Sequence, residues 1–376
     1  MQWMQAEDVH VGVLLKMGDF WAPYYDQYAW GEKGVYKNGD YLLTSGQEDP
    51  RTPEVGHAIG FGADQPVRYA QEYYYYDKVF DRLHELGGIA GYAHQAESFH
   101  GYRGLLLDGL RRKVDVLELL QFCVSQEPLQ TRHYYHLLDL GYAVTAVAGS
   151  DFPWCGKDHD NGPANRNARI GNARFYSFLK GPLTFQAWKE SVKTGHTFVT
   201  SGPMLQFTVN DKLPGDTAHL KPGESVTIKA RAYGHPLEVP LEKIELVVHG
   251  KVIAATTAKE AGQSPSVITL ETKIPIKQGC WIAVRAFAGP GQAAHTTPVY
   301  ISVDGQGFQN PATISHYLHL AGQYLTELEK DLQNISGDPE RQGWRYRKGI
   351  EARIAAARAV IETLQTKLRA DRIPPE

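Results

Sequence analysis

Glutamate, histidine and aspartate recur beside small residues at four places in the first half of the chain. These are Gly46-Gln47-Glu48, Gly56-His57, Tyr92-Ala93-His94 and Gly149-Ser150-Asp151. Carboxylates and imidazoles are the donors that hold divalent cations, and a held cation acidifies a water into a nucleophile near neutral pH. The small neighbours let the backbone come close, which suits a crowded site and equally any tight turn. Taken singly, each residue reads as a hydrogen-bonded polar group at a strand end. Gathered in one place, such residues can bind a divalent cation, though their long-range spacing proves little alone.

Such a set needs elements that bring distant residues to one place. Val9–Leu15, Tyr41–Leu43, Ala58–Phe61, Ile89–Ala93, Val114–Leu120 and Ala143–Ala148 read as strands. Val79, Leu83 and Leu86 share one helical face that Gly87-Gly88 terminates, and His133–Leu140 is also helical. Strands alternating with helices predict a mostly parallel sheet or barrel, in which the C-terminal strand ends open onto one mouth. After Thr200 the pattern changes to short alternating runs, among them Leu205-Phe207-Val209, Val226-Ile228-Ala230, Ile244-Leu246-Val248 and Val299–Val303, with Pro214-Gly215-Asp216, Pro222-Gly223 and His249-Gly250 as turns between them. Short strands at this spacing predict a β-sandwich. Gly305–Pro311 reads as a linker. Two apolar stripes follow, Tyr317 to Leu332 and Ile350 to Leu368, and the Gly337-Asp338-Pro339 break between them predicts a helical hairpin. The expected domains are thus 1–200, 201–305 and 306–376.

Composition narrows the function classes. Of 376 residues, 42% are apolar and 22% charged, as in ordinary globular proteins, and the net charge of -3 provides no basic field for nucleic acid. No apolar run approaches the length of a membrane span. The start, Met1-Gln2-Trp3-Met4, has no signal-peptide pattern, so export is expected only if the native gene extends upstream. Cys123, Cys155 and Cys280 are too few and too scattered for a zinc knuckle or a disulfide framework.

The order of the four segments, with Val114-Asp115-Val116-Leu117-Glu118 between the last two, resembles the carbaryl-hydrolase-like (CehA/McbA) branch of the PHP (polymerase and histidinol phosphatase) metallohydrolases. Gly195-His196-Thr197-Phe198-Val199-Thr200-Ser201-Gly202-Pro203-Met204-Leu205 is similar to that branch's junction between barrel and β-domain, and Ala294–Tyr300 to the last strand of the β-domain. The resemblance covers about Ala6 to Val303 and leaves the hairpin outside. It implies an incomplete PHP-like, distorted (β/α) barrel, of TIM-like kind, followed by an immunoglobulin-like sandwich. It also implies a metal held by Glu48, His57 and His94, with Glu48 able to bridge to a second metal that Asp151 serves. Manganese, zinc or iron is the implied cation, and the implied substrates are phosphoesters, carboxyl esters or carbamates.

Three departures bear on the ligand inventory. The family's opening Asp-x-His-x-His has its counterpart only in Asp8-Val9-His10-Val11-Gly12, where glycine replaces the second histidine. Ala6–Leu15 is therefore read as the family's second strand, with the first expected before Met1. Leu15-Lys16-Met17-Gly18-Asp19 lacks the next histidine, and Pro153 replaces the last one of Gly-Ser-Asp-x-His. One metal site is expected, and ligands for the second are missing. Val9–Leu15 is expected beside a gap or at a sheet edge, covered by the aromatic segment Trp21–Tyr28, by another subunit, or by nothing. If Asp8–Gly12 is instead the first strand, His10 becomes a ligand.

Further candidates are Glu118, His100, Arg103, His159 and Arg174. Glu118 matches a family glutamate and alternatively pairs with a basic neighbour. His100 and Arg103 follow His94 and could contact substrate, though a solvated loop is the plainer reading. The long loop Trp154–Asn172, with His159, Arg166 and Arg169, could wall the mouth and meet an anionic oxygen. The expected activity is metal-activated hydrolysis of an ester-like bond in a small-molecule or glycan-like substrate, by a monomer or homo-oligomer. The alternative is a degenerate, non-catalytic barrel whose sandwich binds a glycan or protein.

Overall fold

The computed structural model describes residues 1–24, 28–94, 98–120, 129–152, 170–259, 266–289, 291–334 and 344–370. His159, Pro153, Arg166, Arg169, Cys123 and Cys155 lie outside the described residues. The first half carries α1 (Gln2–Ala6), β1 (Val11–Met17), β2 (Tyr36–Asn38), β3 (Tyr41–Thr52), β4 (Gly56–Phe61), α2 (Tyr76–Glu85), β5 (Ile89–Tyr92) and α3 (Gly101–Gly109). Then come β6 (Val116–Leu120), α4 (Arg132–Asp139), β7 (Thr145–Ala148), β8 (Arg174–Ser177), α5 (Phe185–Lys193) and β9 (Thr197–Thr200). Strands alone follow: β10 (Met204–Val209), β11 (Thr217–Leu220), β12 (Ser225–Tyr233), β13 (Leu241–Val248), β14 (Lys251–Thr257), β15 (Val267–Pro275), β16 (Cys280–Ala288), β17 (Gln292–Thr296) and β18 (Val299–Val303). Helices α6 (Ile314–Asn334) and α7 (Trp344–Ala370) close the chain. The fold is mixed α/β. It divides into two compact units, Met1–Gly12 with Tyr36–Leu43 and Val116–Asn310, and Val13–Val35 with Thr44–Asp115 and Pro311–Glu376.

The first unit contains a β-sandwich. One sheet has the order β10-β12-β15, and the other β11-β18-β16-β17-β9-β8 with β13 on β16 and β14 on β13. Val226, Ile228, Ala230 and Ala232 of β12 are buried while Thr227, Lys229 and Arg231 point to solvent, the period of two that a one-sided strand requires. They meet Ile244, Leu246, Ile282, Val284 and Ile301 of the other sheet in one apolar core. The described residues between Met204 and Val303 contain no helix, as the alternating pattern predicts. The larger sheet also takes in β8 and β9, which precede Met204: β9 pairs antiparallel with β17 through His295↔Val199 and with β8 through Phe175↔Val199. The Gly305–Pro311 stretch, expected as a linker, is anchored at buried Asn310, whose amide nitrogen donates to Asp139 Oδ2 at 2.9 Å.

In the second unit β1, β3, β4 and β5 are neighbours in that order. The expected parallel arrangement is absent here, because β3 and β4 are antiparallel, as are β4 and β5. The chain reverses within Pro53-Glu54-Val55, too short a connection for a parallel crossover. Helix α2 buries Val79, Phe80 and Leu83, and at its end the Gly88 N–H donates to Leu83 O at 2.8 Å with Gly87 at φ 71. β1 ends the strand order among the described residues, as expected of an edge. Trp21 and Tyr24, expected as its cover, are 59% and 54% exposed. Leu318, Ala321, Leu325, Leu328 and Leu332 of α6 and Ile350, Ile354, Ala357 and Ile361 of α7 are the buried stripes of the expected hairpin.

Candidate metal centre

β3 carries Glu48, and its ladder with β4 explains where that side chain goes. Glu48 pairs with Ile59, but the next pair is Arg51 with His57, so Asp49 and Pro50 on β3 oppose Ala58 alone. Proline cannot donate to the ladder, and a bulge accommodates it. In a regular strand residues three apart face opposite sides. The extra residue cancels that alternation and places Glu48 and Arg51 on the face that His57 shares.

His57 is the second residue of β4, and its carbonyl accepts the Ala93 N–H at 3.1 Å. His94 follows directly in the left-handed region at φ 59. A left-handed backbone at a residue with a Cβ costs about 1–2 kcal/mol and is held by its surroundings. Here it turns the imidazole back toward β4.

The result is a buried cluster of one carboxylate and two imidazoles. Glu48 Oε1 lies 2.8 Å from His57 Nδ1 and 3.6 Å from His94 Nε2. The two imidazole nitrogens are 3.1 Å apart. All three ligand atoms lie within 4.8 Å of one another, and their residues are 3%, 6% and 5% exposed. Ligands of a tetrahedral cation at about 2.0–2.1 Å stand roughly 3.3 Å apart, so the spacing suits one shared cation. The cluster could hold a metal ion. Sequence order had placed all three at C-terminal strand ends, but His57 begins its strand, and antiparallel pairing is what unites them.

Electrostatics favour charge on Glu48. Burial pushes its carboxyl up, but hydrogen bonds and charge from His57 and His94 outweigh it and hold the group well below the usual carboxylate range. Burial depresses His57 against the opposing pull of Glu48, which keeps its lone pair available. Arg51 Nε lies 3.2 Å from Glu48 Oε1 and 3.5 Å from His57 Nδ1. The Phe99 ring stacks on His57, with centroids 4.5 Å apart and planes at 18°. Behind Glu48, Asp49 accepts from Tyr73 Oη and Arg68 Nη1, each at 2.6 Å, and Gln47 Nε2 donates to Asp49 O at 2.7 Å. Sequence reading missed Arg51 and Phe99. The Asp49-Pro50 pair inside a strand was the available signal for Arg51, since a bulge there moves residue i+3 onto the ligand face.

The other sequence candidates fall as follows. His100 Nδ1 accompanies Pro53 O at 2.8 Å, and Arg103, 7% exposed, donates through Nη1 to Asp331 Oδ2 at 2.5 Å. In the first unit Glu118 is buried on β6, and a Cβ on Gly149 would lie 2.9 Å from its Oε1. Asp151 is half-buried with a left-handed φ of 54. His10 stacks on Tyr41 at 5.1 Å with its Nε2 3.7 Å from Asp8, and Arg174 donates to Gly171 O and Glu7 O at 2.6 and 2.7 Å. His159 lies outside the described residues.

No family model and no curated protein matches the chain. Among solved structures it is similar to the fibronectin(III)-like modules of Clostridium thermocellum CbhA, with 14% identity, a TM-score of 0.19, and coverage of 27% of this chain and 98% of that one. It is also similar to an engineered protein, with 12% identity, a TM-score of 0.18, and coverage of 56% of this chain and 48% of that one. Likenesses this slight define neither the fold nor the activity of this chain. Among the described residues no helix is long and apolar enough to cross a membrane.

Proposed function

We propose that the protein is a metal-dependent hydrolase of an ester-like bond, of the PHP type, with Glu48, His57 and His94 as cation ligands. The observation that carries the reading is the convergence of three buried donor atoms within 4.8 Å. A bound manganese, zinc or iron ion would supply an acidified water and positive charge for a developing oxyanion. The chain's own residues do the rest. Glu48 stays ionised, and His57 offers Nδ1 while Phe99 keeps solvent from one face of its ring. Arg51 brings a planar guanidinium to the same face, suited to an anionic oxygen of a phosphoester or to the oxyanion of a carboxyl ester or carbamate. Arg103 is held by Asp331 and has no substrate role in this reading. On this reading the sheet of β1, β3, β4 and β5 corresponds to part of an incomplete PHP-like barrel, and the sandwich, which takes in β8 and β9, to an immunoglobulin-like β-domain.

The test is metal analysis of the purified chain beside Glu48→Gln, His57→Ala and His94→Ala, with turnover of p-nitrophenyl phosphate and p-nitrophenyl acetate. About one tightly held metal per chain is expected, lost in each variant together with hydrolysis. A wild-type chain that takes up no manganese, zinc or iron and cleaves neither substrate sinks the reading.

One observation favours the second reading, a degenerate barrel acting as a glycan- or protein-binding module. Arg51 already places a positive charge 3.2 Å from Glu48. On that reading chelators leave the melting temperature unchanged, and Arg51→Gln destabilises the protein instead of altering turnover.

A further inference from the structure

The hairpin lies beyond the stretch that resembles the hydrolase branch, yet a fully buried ion pair ties it to the cluster. Arg353 of α7 and Asp108 of α3 are both 0% exposed and are joined through Arg353 Nη2 and Asp108 Oδ2. Each guanidinium nitrogen is engaged: Nε also with Asp108, through Oδ1 at 3.3 Å, Nη1 with Tyr74 O at 2.9 Å, and Nη2 further with Tyr92 Oη at 3.2 Å. Tyr92 donates in turn to Asp108 Oδ2 at 2.7 Å, and the guanidinium carbon sits 4.7 Å from the centre of the Tyr76 ring. A surface hairpin kept only for solubility has no use for a desolvated arginine, and burying one is unfavourable unless every donor is matched.

The chain of contact continues to the ligands. Tyr92 is the last residue of β5 and stands two before His94. Helix α3 begins directly after Phe99 and His100, both left-handed at φ 51, and Phe99 is the ring stacked on His57. A Cβ at Gly56, beside His57, would lie 2.4 Å from Gly101 Cα, and one at Gly104 would lie 2.6 Å from Tyr92 Oη. The first turn of α3 therefore presses on β4 and β5 with no room to shift. On its other side α3 is fastened to α6 through Arg103 to Asp331 and through Tyr102, whose ring meets Tyr324 at 4.7 Å. Helix α7 comes close enough that a Cβ on Gly349 would lie 2.7 Å from Tyr74 Cβ.

From these contacts we infer that the C-terminal hairpin is a positioning element of the metal centre. Arg353, through Asp108 and Tyr92, holds His94 and the Phe99–His57 stack in ligating geometry. The inference rests on the metal-centre reading. Metal-ligating imidazoles lose about 10–100-fold in affinity when the groups that orient them are removed, and Arg353 acts one step further out.

The experiment uses the full chain and cobalt(II) alone. Cobalt affinity is read by competition with a chelator and coordination by the visible d–d spectrum. Arg353→Met combined with Asp108→Leu removes both charges while filling the space with apolar side chains, so neither charge is left buried without a partner. Tyr92→Phe keeps the ion pair and removes only the hydroxyl that links it to β5, which serves should the double variant fail to fold. Cobalt binding about tenfold weaker or more, with a d–d band shifted or reduced in intensity, is expected in the double variant, and a smaller change in the same direction in Tyr92→Phe. Either folded variant binding cobalt with wild-type affinity and spectrum overturns the positioning role and leaves the metal site standing. A wild-type chain that binds no cobalt overturns both.

Discussion

The sandwich core of the first unit and the hydrogen-bonded network of the second bury opposite kinds of surface. In the sandwich, Leu205, Phe207, Val226, Ile228, Leu246, Ile282 and Val284 meet across an apolar core. In the second unit the largest fully buried side chains include Arg353, Tyr73, Tyr74, Tyr76 and Tyr92, and Asp49, Asp108, Glu48, His57 and His94 are buried with them. An apolar core is non-directional and tolerates exchange of shape, whereas a buried polar network stands or falls on whether each donor finds its acceptor. The sandwich is therefore the sturdier scaffold. The second unit holds its ligands by interactions that fail sharply when one partner is lost.

That contrast sets the order of expected effects. Arg353→Met alone breaks the fully buried pair and leaves Asp108 with Arg111 Nη2, at 2.7 Å, as its remaining charged partner; it should cost about 3 kcal/mol or more, read by urea denaturation. If it costs less than 1 kcal/mol, the network is not what holds the hairpin. In the sandwich, Leu246→Ala should cost about 2–5 kcal/mol through cavity formation, and Ile282→Val only about 0.5–1.5. The graded response distinguishes the apolar core from the all-or-none response at Arg353.

Acid should bring the units closer together in behaviour. His295 lies in the sandwich unit with Nδ1 2.7 Å from Thr296 O and Nε2 2.7 Å from Tyr135 Oη. Burial pushes its pKa down to about 3, against about 6.5 in an unfolded chain. Between those values the unfolded state binds the proton and the folded state does not. The stability contribution is thus complete above about pH 6.5 and falls as pH drops toward 3. His57 shifts in the same direction, so the loss is expected in both units. Glu48 also has a depressed pKa, so its contribution is present above the unfolded carboxylate value, about 4.3, and is lost only below it. His295→Gln should flatten the decline between pH 6.5 and 4.5 in denaturation curves; an unchanged slope would show that His295 titrates normally. The smallest effect is expected at the sandwich rim, where Val252 is 43% exposed: Val252→Thr should move stability by less than about 0.5 kcal/mol in the same assay.

What was legible in the sequence follows from which interactions are local. The alternation in Val226-Ile228-Ala230 specifies a one-sided strand wherever it lies, because side chains alternate with a period of two. The stripes of α6 and α7 are legible for the same reason, through the helical repeat. Glu48, His57 and His94 could also be singled out, as cation-holding residue types whose order resembles that of the hydrolase branch. Their geometry could not. It depends on antiparallel pairing of β3 with β4 and β4 with β5, on a bulge at Asp49-Pro50 that adds Arg51 to the ligand face, and on a left-handed His94. The link from Arg353 to Asp108 spans 245 positions, and no local pattern marks one of the several arginines of an amphipathic helix as the one to be buried. Only the tertiary structure decided that, because burying a charge is tolerable solely where distant partners arrive together to match it.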